Sequence, residues 1–229
     1  MFDVIAGKYD FMNRALSLGI DVGWRKKAIN LFKRDKPQHL LDVATGTGDM
    51  ALLAAKLLQP QKITGIDISE KMLEIGRQKV AAQKGATQID LLPGDGETIN
   101  FGTDTFDGVM VAFGVRNFEN LEQGLAEIKR VMRPGALLVI LEFSRPKWVV
   151  AKTFYDVYMG TVAPQLAGLF RQNKQAYQYL NNSAKAFPDR EKFVQILNRA
   201  GYSDTTFKPL SLGICSIYTG RKPLLIASK

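Results

Sequence analysis

Three carboxylates and two glycines hold most of the chemical content of this chain. Asp42 sits inside the apolar run Leu40-Leu41-Asp42-Val43-Ala44, and Gly46-Thr47-Gly48-Asp49-Met50-Ala51 follows after Thr45. That second segment fits G-x-G-x-x-G/A, the turn by which a buried strand passes into a helix beside a nucleotide. Glycine allows a close backbone approach there, because it has no Cβ. Asp67 stands 19 residues after Gly48, at the end of a second apolar run. A carboxylate at that place can accept both hydroxyls of a ribose. Asp95 lies in Pro93-Gly94-Asp95-Gly96-Glu97, after a third run, where it can meet an adenine amino group. Taken singly, Asp67 and Asp95 also read as turn aspartates.

Asp42 separates the classes of nucleotide that could bind. A carboxylate buried in a strand is costly unless it is paired. A pyrophosphate would add negative charge to the same corner. A sulfonium ligand with an amino group would offset it, which favours S-adenosylmethionine over NAD.

The surrounding pattern supplies the elements that must position these groups. Strands are expected at Leu40–Ala44, Ile63–Ile68, Ile89–Leu92, Phe106–Ala112 and Leu137–Glu142. Between them, helices are expected from Asp49 to about Leu58, after the cap Ser69, and over Leu121–Val131, the last stopped by Arg133-Pro134-Gly135. Alternation of this kind means parallel pairing with helices on both faces, and ligands outside the carboxyl ends of the strands. Before this core, helices are expected at residues 9–18 and Trp24–Phe32. After it, residues 145–188 are aromatic, basic and helical in tendency; Asp189–Ala200 reads as a helix and Tyr202–Pro209 with Gly213–Gly220 as a hairpin. The expected fold is α/β, a doubly wound, mostly parallel seven-stranded sheet with a C-terminal antiparallel hairpin and a helical lid. Residues 1–229 form one domain in this reading: an N-terminal helical lid over 1–36, a core over 37–144, a lid insertion over 145–188, and a terminal helix and hairpin over 189–229.

Composition narrows the function classes. The chain has 229 residues, 46% hydrophobic and 23% charged, as in an ordinary globular domain. One cysteine, Cys215, excludes an internal disulfide, and one histidine, His39, leaves little for a zinc site or a Ser-His-Asp triad. His39 precedes the first strand, roughly 15 Å from the ligand edge at about 3.3 Å per residue, so it reads as a surface histidine and not as a base. No apolar run approaches the length of a membrane span, and a cytoplasmic protein is expected. The net charge of +9 is uneven: residues 37–144 hold ten basic and fourteen acidic groups, so the basic excess lies in the flanks. Basic flanks suit an anionic partner such as an acidic membrane surface, or serve solubility alone.

Leu41-Asp42-Val43-Ala44-Thr45-Gly46-Thr47-Gly48-Asp49 resembles the first motif of class I methyltransferases. More closely, the chain resembles the quinone-biosynthesis C-methyltransferases that act on demethylmenaquinol or 2-methoxy-6-polyprenyl-benzoquinol. The resemblance runs through Tyr9-Asp10-Phe11-Met12-Asn13, Trp24-Arg25, Phe113-Gly114-Val115-Arg116-Asn117-Phe118, Leu141-Glu142-Phe143-Ser144-Arg145-Pro146 and Ala176-Tyr177-Gln178-Tyr179-Leu180. The glycine corner is widely shared; the Phe113–Phe118 and Glu142–Pro146 segments are far more specific. The resemblance implies S-adenosylmethionine as cofactor, with contacts at Thr47, Asp67, Asp95 and Gly96 beside Asp42, Gly46 and Gly48. Ile68, Met72 and Ala112 complete the expected cofactor set. Asp95-Gly96 stands where the family often has Asn-Ala or Asp-Ala, and Asp21-Val22-Gly23 where a His-Arg is common.

The implied reaction is methyl transfer to a quinol ring carbon. It needs an electron-rich ring, so a phenolic proton must leave; the sulfonium is already activated, so no metal is required. The resemblance suggests that Arg116 orients the quinol oxygen or a water and stabilises the phenolate, with Asn117 beside it. Tyr155 and Tyr177, with Tyr158, are expected to pack on the ring or bond its oxygens, and Asp156 is a candidate base. The acceptor's polyprenyl tail suggests peripheral contact with acidic lipid on the inner face of the plasma membrane. No nucleic acid is expected, and a homodimer is left open. The alternatives are a class I methyltransferase with an RNA or small-phenol acceptor, an NAD-dependent dehydrogenase, and a non-catalytic member of a quinone-synthesis complex.

Overall fold

The computed structural model describes residues 19–146 and 182–224. Seven strands form one sheet: β1 (His39–Val43), β2 (Lys62–Asp67), β3 (Gln88–Pro93), β4 (Phe106–Ala112), β5 (Met132–Phe143), β6 (Ser203–Leu210) and β7 (Cys215–Arg221). Their order is β3-β2-β1-β4-β5-β7-β6. The first five are parallel, and β7 pairs antiparallel with both β5 and β6. The chain reverses direction across the sheet between β3 and β4, and this reversal places the crevice beside β1 and β4.

Five helices among the described residues pack on this sheet: α1 (Ile20–Ile29), α2 (Asp49–Leu58), α3 (Glu70–Ala82), α4 (Leu121–Val131) and α5 (Glu191–Arg199); residues 182–186 are helical too. Ser69 caps α3 by accepting from the Met72 N–H, and Asn120 caps α4 by accepting from the Gln123 N–H. Side chains alternate between the faces of a strand, so each strand feeds two cores. Leu40, Met110 and Val139 bury against Trp24 and Ala28 of α1 and Met50 and Ala54 of α2. Leu41, Val43, Val109 and Ile140 bury against Leu125 and Ile128 of α4 and Phe193 and Leu197 of α5. Both helical faces repeat at three or four residues, and full burial of each such side chain stabilises by about 1.5–3 kcal/mol. Asp42 lies two residues after Leu40 and therefore shares the face that α1 covers.

The expected core elements are present with shifted ends. The second N-terminal helix starts earlier than Trp24, at Ile20, and finishes as a tighter turn over Asn30–Lys33. β1 stops at Val43 because Ala44 turns into the left-handed region, φ 54°. β5 starts at Met132 and not Leu137: Arg133-Pro134-Gly135 ends the helix, yet forms an irregularity within the strand, between the pairs Phe106–Met132 and Gly108–Leu137. Gly135 keeps a link there by donating to the Lys222 carbonyl at 2.8 Å. Residues 9–18 and most of the expected lid at 145–188 lie outside the described residues. No helix among the described residues is long and apolar enough to cross a membrane.

A cramped point between β2 and β3 gives a direct test. A Cβ on Gly65 of β2 would lie 2.6 Å from Leu91 Cδ2 and 2.7 Å from Thr45 Oγ1. Gly65→Ala should lower stability by about 1–3 kcal/mol, read as a reduced denaturation midpoint in urea. An unchanged midpoint would mean that Leu91 and Thr45 move aside freely.

Candidate active site

A cavity of about 280 Å³ lies at the carboxyl ends of β1, β2 and β4 and beside the segment that follows β3. Its floor is the glycine corner. Thr45 donates its N–H to the Ile66 carbonyl, and Gly48 donates to the Thr45 carbonyl at 3.0 Å. Gly46 and Gly48 both sit at positive φ, 57° and 76°, where a side chain would be strained. Gly46 lines the cavity, whereas Gly48 does not; it caps α2 and sets the angle at which that helix leaves.

Asp67 ties the corner together. One carboxylate oxygen accepts from the Gly46 N–H at 2.8 Å and the other from the Ser69 N–H at 2.9 Å. The turn-aspartate and ligand-binding readings of this residue therefore do not exclude each other. A carboxylate has about four acceptor sites, and Asp67 still lines the cavity. Thr47 lines it too, and its hydroxyl accepts from Lys79 Nζ at 2.9 Å; the same ammonium reaches Asp49 at 2.8 Å. Met72 is buried and Ile68 exposed, and both reach the cavity.

Asp95 and Gly96 form the next side. Asp95 accepts from the Glu97 N–H at 2.9 Å. Glu97 spans to the opposite rim, accepting from the Glu119 and Asn120 N–H groups at 2.6 and 2.9 Å. A Cβ on Gly96 would stand 2.8 Å from the Phe118 ring, so the backbone there is pressed flat between Phe118 and Val43. Ala112 ends β4 at the cavity, and Phe113 follows at φ 58°. Such a conformation costs a non-glycine residue about 1–2 kcal/mol and marks a place where the surroundings impose it.

Asp42 is 1% exposed. Its Oδ2 accepts from Thr45 Oγ1 at 2.7 Å, and its Oδ1 has no hydrogen-bond partner among the described residues. Burial pushes its pKa up from 3.8 to about 7; the Thr45 hydrogen bond and the Arg25 charge oppose that rise. Arg25, from α1, is also buried and lines the same cavity.

Asn117 lines the cavity from a tight turn over Val115–Asn117. Arg116 does not. Its guanidinium is turned from the cavity into an ion pair of 2.8 Å with Glu142, both side chains being almost wholly buried. It also donates to the Phe113 carbonyl and lies 5.5 Å over the Phe143 ring. The reason is Glu142, a carboxylate at 0% exposure on β5 that needs a cation. Tyr155 and Tyr177, with Tyr158 and Asp156, lie outside the described residues. His39 is at the opposite edge, near Thr64 Oγ1 at 3.1 Å and the Phe106 ring at 4.6 Å.

Ten of the twelve expected site residues in the described segments thus line one cavity; Gly48 and Arg116 stand behind it. Arg25, Phe113 and Glu97 escape the sequence reading. Arg25 had one available signal: with Asp21 it puts a charged pair at i, i+4 beside Trp24 and Ala28, on the side of α1 that buries.

The model of the ubiE/COQ5 methyltransferase family matches residues 1–222. A demethylmenaquinone methyltransferase of Bacteroides fragilis is 45% identical over 222 residues, 97% of this chain and 91% of that one. A ubiquinone/menaquinone biosynthesis C-methyltransferase of Geotalea daltonii is 45% identical over 223 residues, 97% and 94% of the two chains. Among solved structures, an S-adenosylmethionine-dependent methyltransferase of Thermotoga maritima aligns with a TM-score of 0.67 at 16% identity, over 96% of this chain and 97% of that one. Phosphoethanolamine N-methyltransferase 2 of Haemonchus contortus aligns with a TM-score of 0.62 at 16% identity, over 86% and 52%. At such identity these two likenesses speak for the fold.

The raised pKa of Asp42 has a definite sign in stability. Between pH 3.8 and about 7 the unfolded carboxyl is ionised while the folded one holds its proton. Stability from this group therefore falls as pH rises through that window and is level above it. Asp42→Asn removes the ionisation. Its stability relative to the parent should grow from pH 4 to pH 7, by at most about 1.4 kcal/mol per pH unit, and then stay constant. Urea unfolding of both proteins across this range measures the difference; a constant difference would show that Asp42 ionises normally.

Proposed function

The chain belongs to the ubiE/COQ5 methyltransferase family, and from that premise we propose that it transfers a methyl group from S-adenosylmethionine to a ring carbon of a polyprenylated quinol. Demethylmenaquinol is the preferred acceptor in this reading, and 2-methoxy-6-polyprenyl-benzoquinol the second. The observation that carries it is the nearly full-length likeness to the Bacteroides fragilis demethylmenaquinone methyltransferase.

The residues present fit that cofactor. Asp42 offers a buried carboxylate oxygen to a cationic ligand, and the corner at Gly46 leaves room for close approach. Asp67 would hold the ribose hydroxyls, with Asp95 and Gly96 along the adenine and Thr47, Ile68, Met72 and Ala112 around them. Bound there, S-adenosylmethionine supplies a methyl group on a positively charged sulfur, already activated for transfer.

What remains for the chain is to position the acceptor and keep water away. Phe113, Asn117 and Phe118 line the cavity together. Arg116 acts in this reading through the turn it holds: its bonds to Glu142 and Phe113 fix Val115–Asn117 and so aim Asn117 at the acceptor. Tyr155 and Tyr177 complete the acceptor site as ring contacts. Charge stabilisation of the phenolate by positioned donors lowers the barrier more than a base alone would.

The direct test is transfer of a labelled methyl group to the two reduced acceptors in detergent. The demethylnaphthoquinol should be methylated at carbon with the larger kcat/KM. Failure with both acceptors would reject the proposed substrate class. The isoprenoid tail also requires a meeting at a lipid surface, and the basic flanks of the chain suit an acidic one. In sedimentation with phosphatidylglycerol vesicles, the protein should pellet at low salt and be released as salt rises. No pelleting at low salt would remove the peripheral contact from this reading.

A further inference from the structure

The charges around the cavity are lopsided. Six carboxylates line it, those of Asp42, Asp49, Asp67, Asp95, Glu97 and Glu119, and among the described lining residues Arg25 is the one cation. Acidic walls suit a positively charged sulfonium nucleoside. The same ligand has a single anionic group, the carboxylate of its amino-acid end. A lone guanidinium in an acidic cavity matches that single group.

Arg25 is built into its place. It is 8% exposed, and its Nη1 donates to Asp21 Oδ2 at 2.6 Å. The guanidinium lies 5.3 Å over the Phe113 ring, which restrains its plane. Its Nε has no hydrogen-bond partner among the described residues, although the atom is buried. A buried unpaired donor on a cation is costly, and it is met best by an acceptor that the free protein does not itself supply. Asp42 mirrors this situation with its Oδ1. The two side chains face one cavity and make no hydrogen bond to each other. Arginine is the side chain suited to a carboxylate, because its planar fork can donate two parallel hydrogen bonds.

We propose that Arg25 is the receptor for the carboxylate of the cofactor's methionine portion, with Asp42 receiving its ammonium. This deepens the S-adenosylmethionine reading given above and rests on it. Helix α1 then belongs to the cofactor site and not only to the covering of the sheet. The protein would distinguish adenosyl ligands that keep the carboxylate from those that have lost it.

Titration calorimetry with three ligands tests the assignment without relying on turnover. S-adenosylhomocysteine has the whole amino-acid end; its decarboxylated analogue keeps only the ammonium; methylthioadenosine has neither. The parent protein should bind S-adenosylhomocysteine about ten- to hundredfold more tightly than the decarboxylated analogue, the size expected for a charged hydrogen-bonded pair. Arg25→Met should close that gap and leave methylthioadenosine affinity unchanged, and Arg25→Lys should restore part of it. Equal affinity of the parent for the first two ligands overturns the proposal, and this comparison needs no variant to fold. A loss for Arg25→Met that is equal for all three ligands overturns it as well, because it marks a structural role. If the parent binds none of the three, the cofactor reading fails together with the proposal.

Discussion

A carboxylate at 1% exposure inside the central strand constrains much of what surrounds it. Asp42 cannot be satisfied by β1 itself, whose backbone groups are committed to β2 and β4 on either side. One oxygen is met by Thr45 at 2.7 Å. That bond requires the chain to turn back just beyond the strand, and Ala44 at φ 54° and Gly46 at φ 57° provide the turn. The residual charge is offset through space by Arg25 and aggravated by Asp67. Opening of the glycine corner, burial of an arginine on α1 and accumulation of acid at the strand ends are thus linked. The polar cost of the site is offset by the two apolar cores that grip the strands from either face.

A second buried charge pair works behind the cavity. Glu142 on β5 and Arg116 in the turn after β4 neutralise each other at 2.8 Å. Losing one partner of such a pair costs about 3–5 kcal/mol, since the other is left charged and dry. Between this pair and the cavity lies a stack: Arg25 over Phe113, Phe113 against Phe143 at 4.7 Å, and Arg116 over Phe143. Arg25 and Arg116 therefore flank one aromatic pair. The strained backbone of Phe113 is part of this arrangement, for it turns the ring into the stack while its N–H keeps a bond to the Leu141 carbonyl. The segments Phe113–Phe118 and Glu142–Pro146 meet here, through Arg116 with Glu142 and Phe113 with Phe143.

Local pattern was enough for the strand-helix alternation, the glycine corner and the carboxylates at 42, 67 and 95. Each rests on short-range chemistry: alternation of apolar residues, the conformational freedom of Gly46 and Gly48, and the capping hydroxyl of Ser69. It was also enough to set aside His39, because position along a parallel strand decides which edge a residue occupies. The ends of the elements were less legible. β5 begins five residues early because its partner strand accommodates Arg133–Gly135 as an irregularity, which no local rule announces.

Partnerships between distant segments could not be read along the chain. Arg116 stood in a recognisable motif, but its direction is set by Glu142, 26 residues away on another strand. Arg25 stood in an expected helix with no role assigned to it, and only the packing of α1 on the face shared by Leu40 and Asp42 brings it to the cavity. Spacing within a segment determines which way a residue faces; a charge buried by long-range packing chooses its partner in three dimensions. The residue types and the glycine corner were therefore written in order along the chain, while the division of Arg25 and Arg116 between cavity and scaffold came from the folded arrangement.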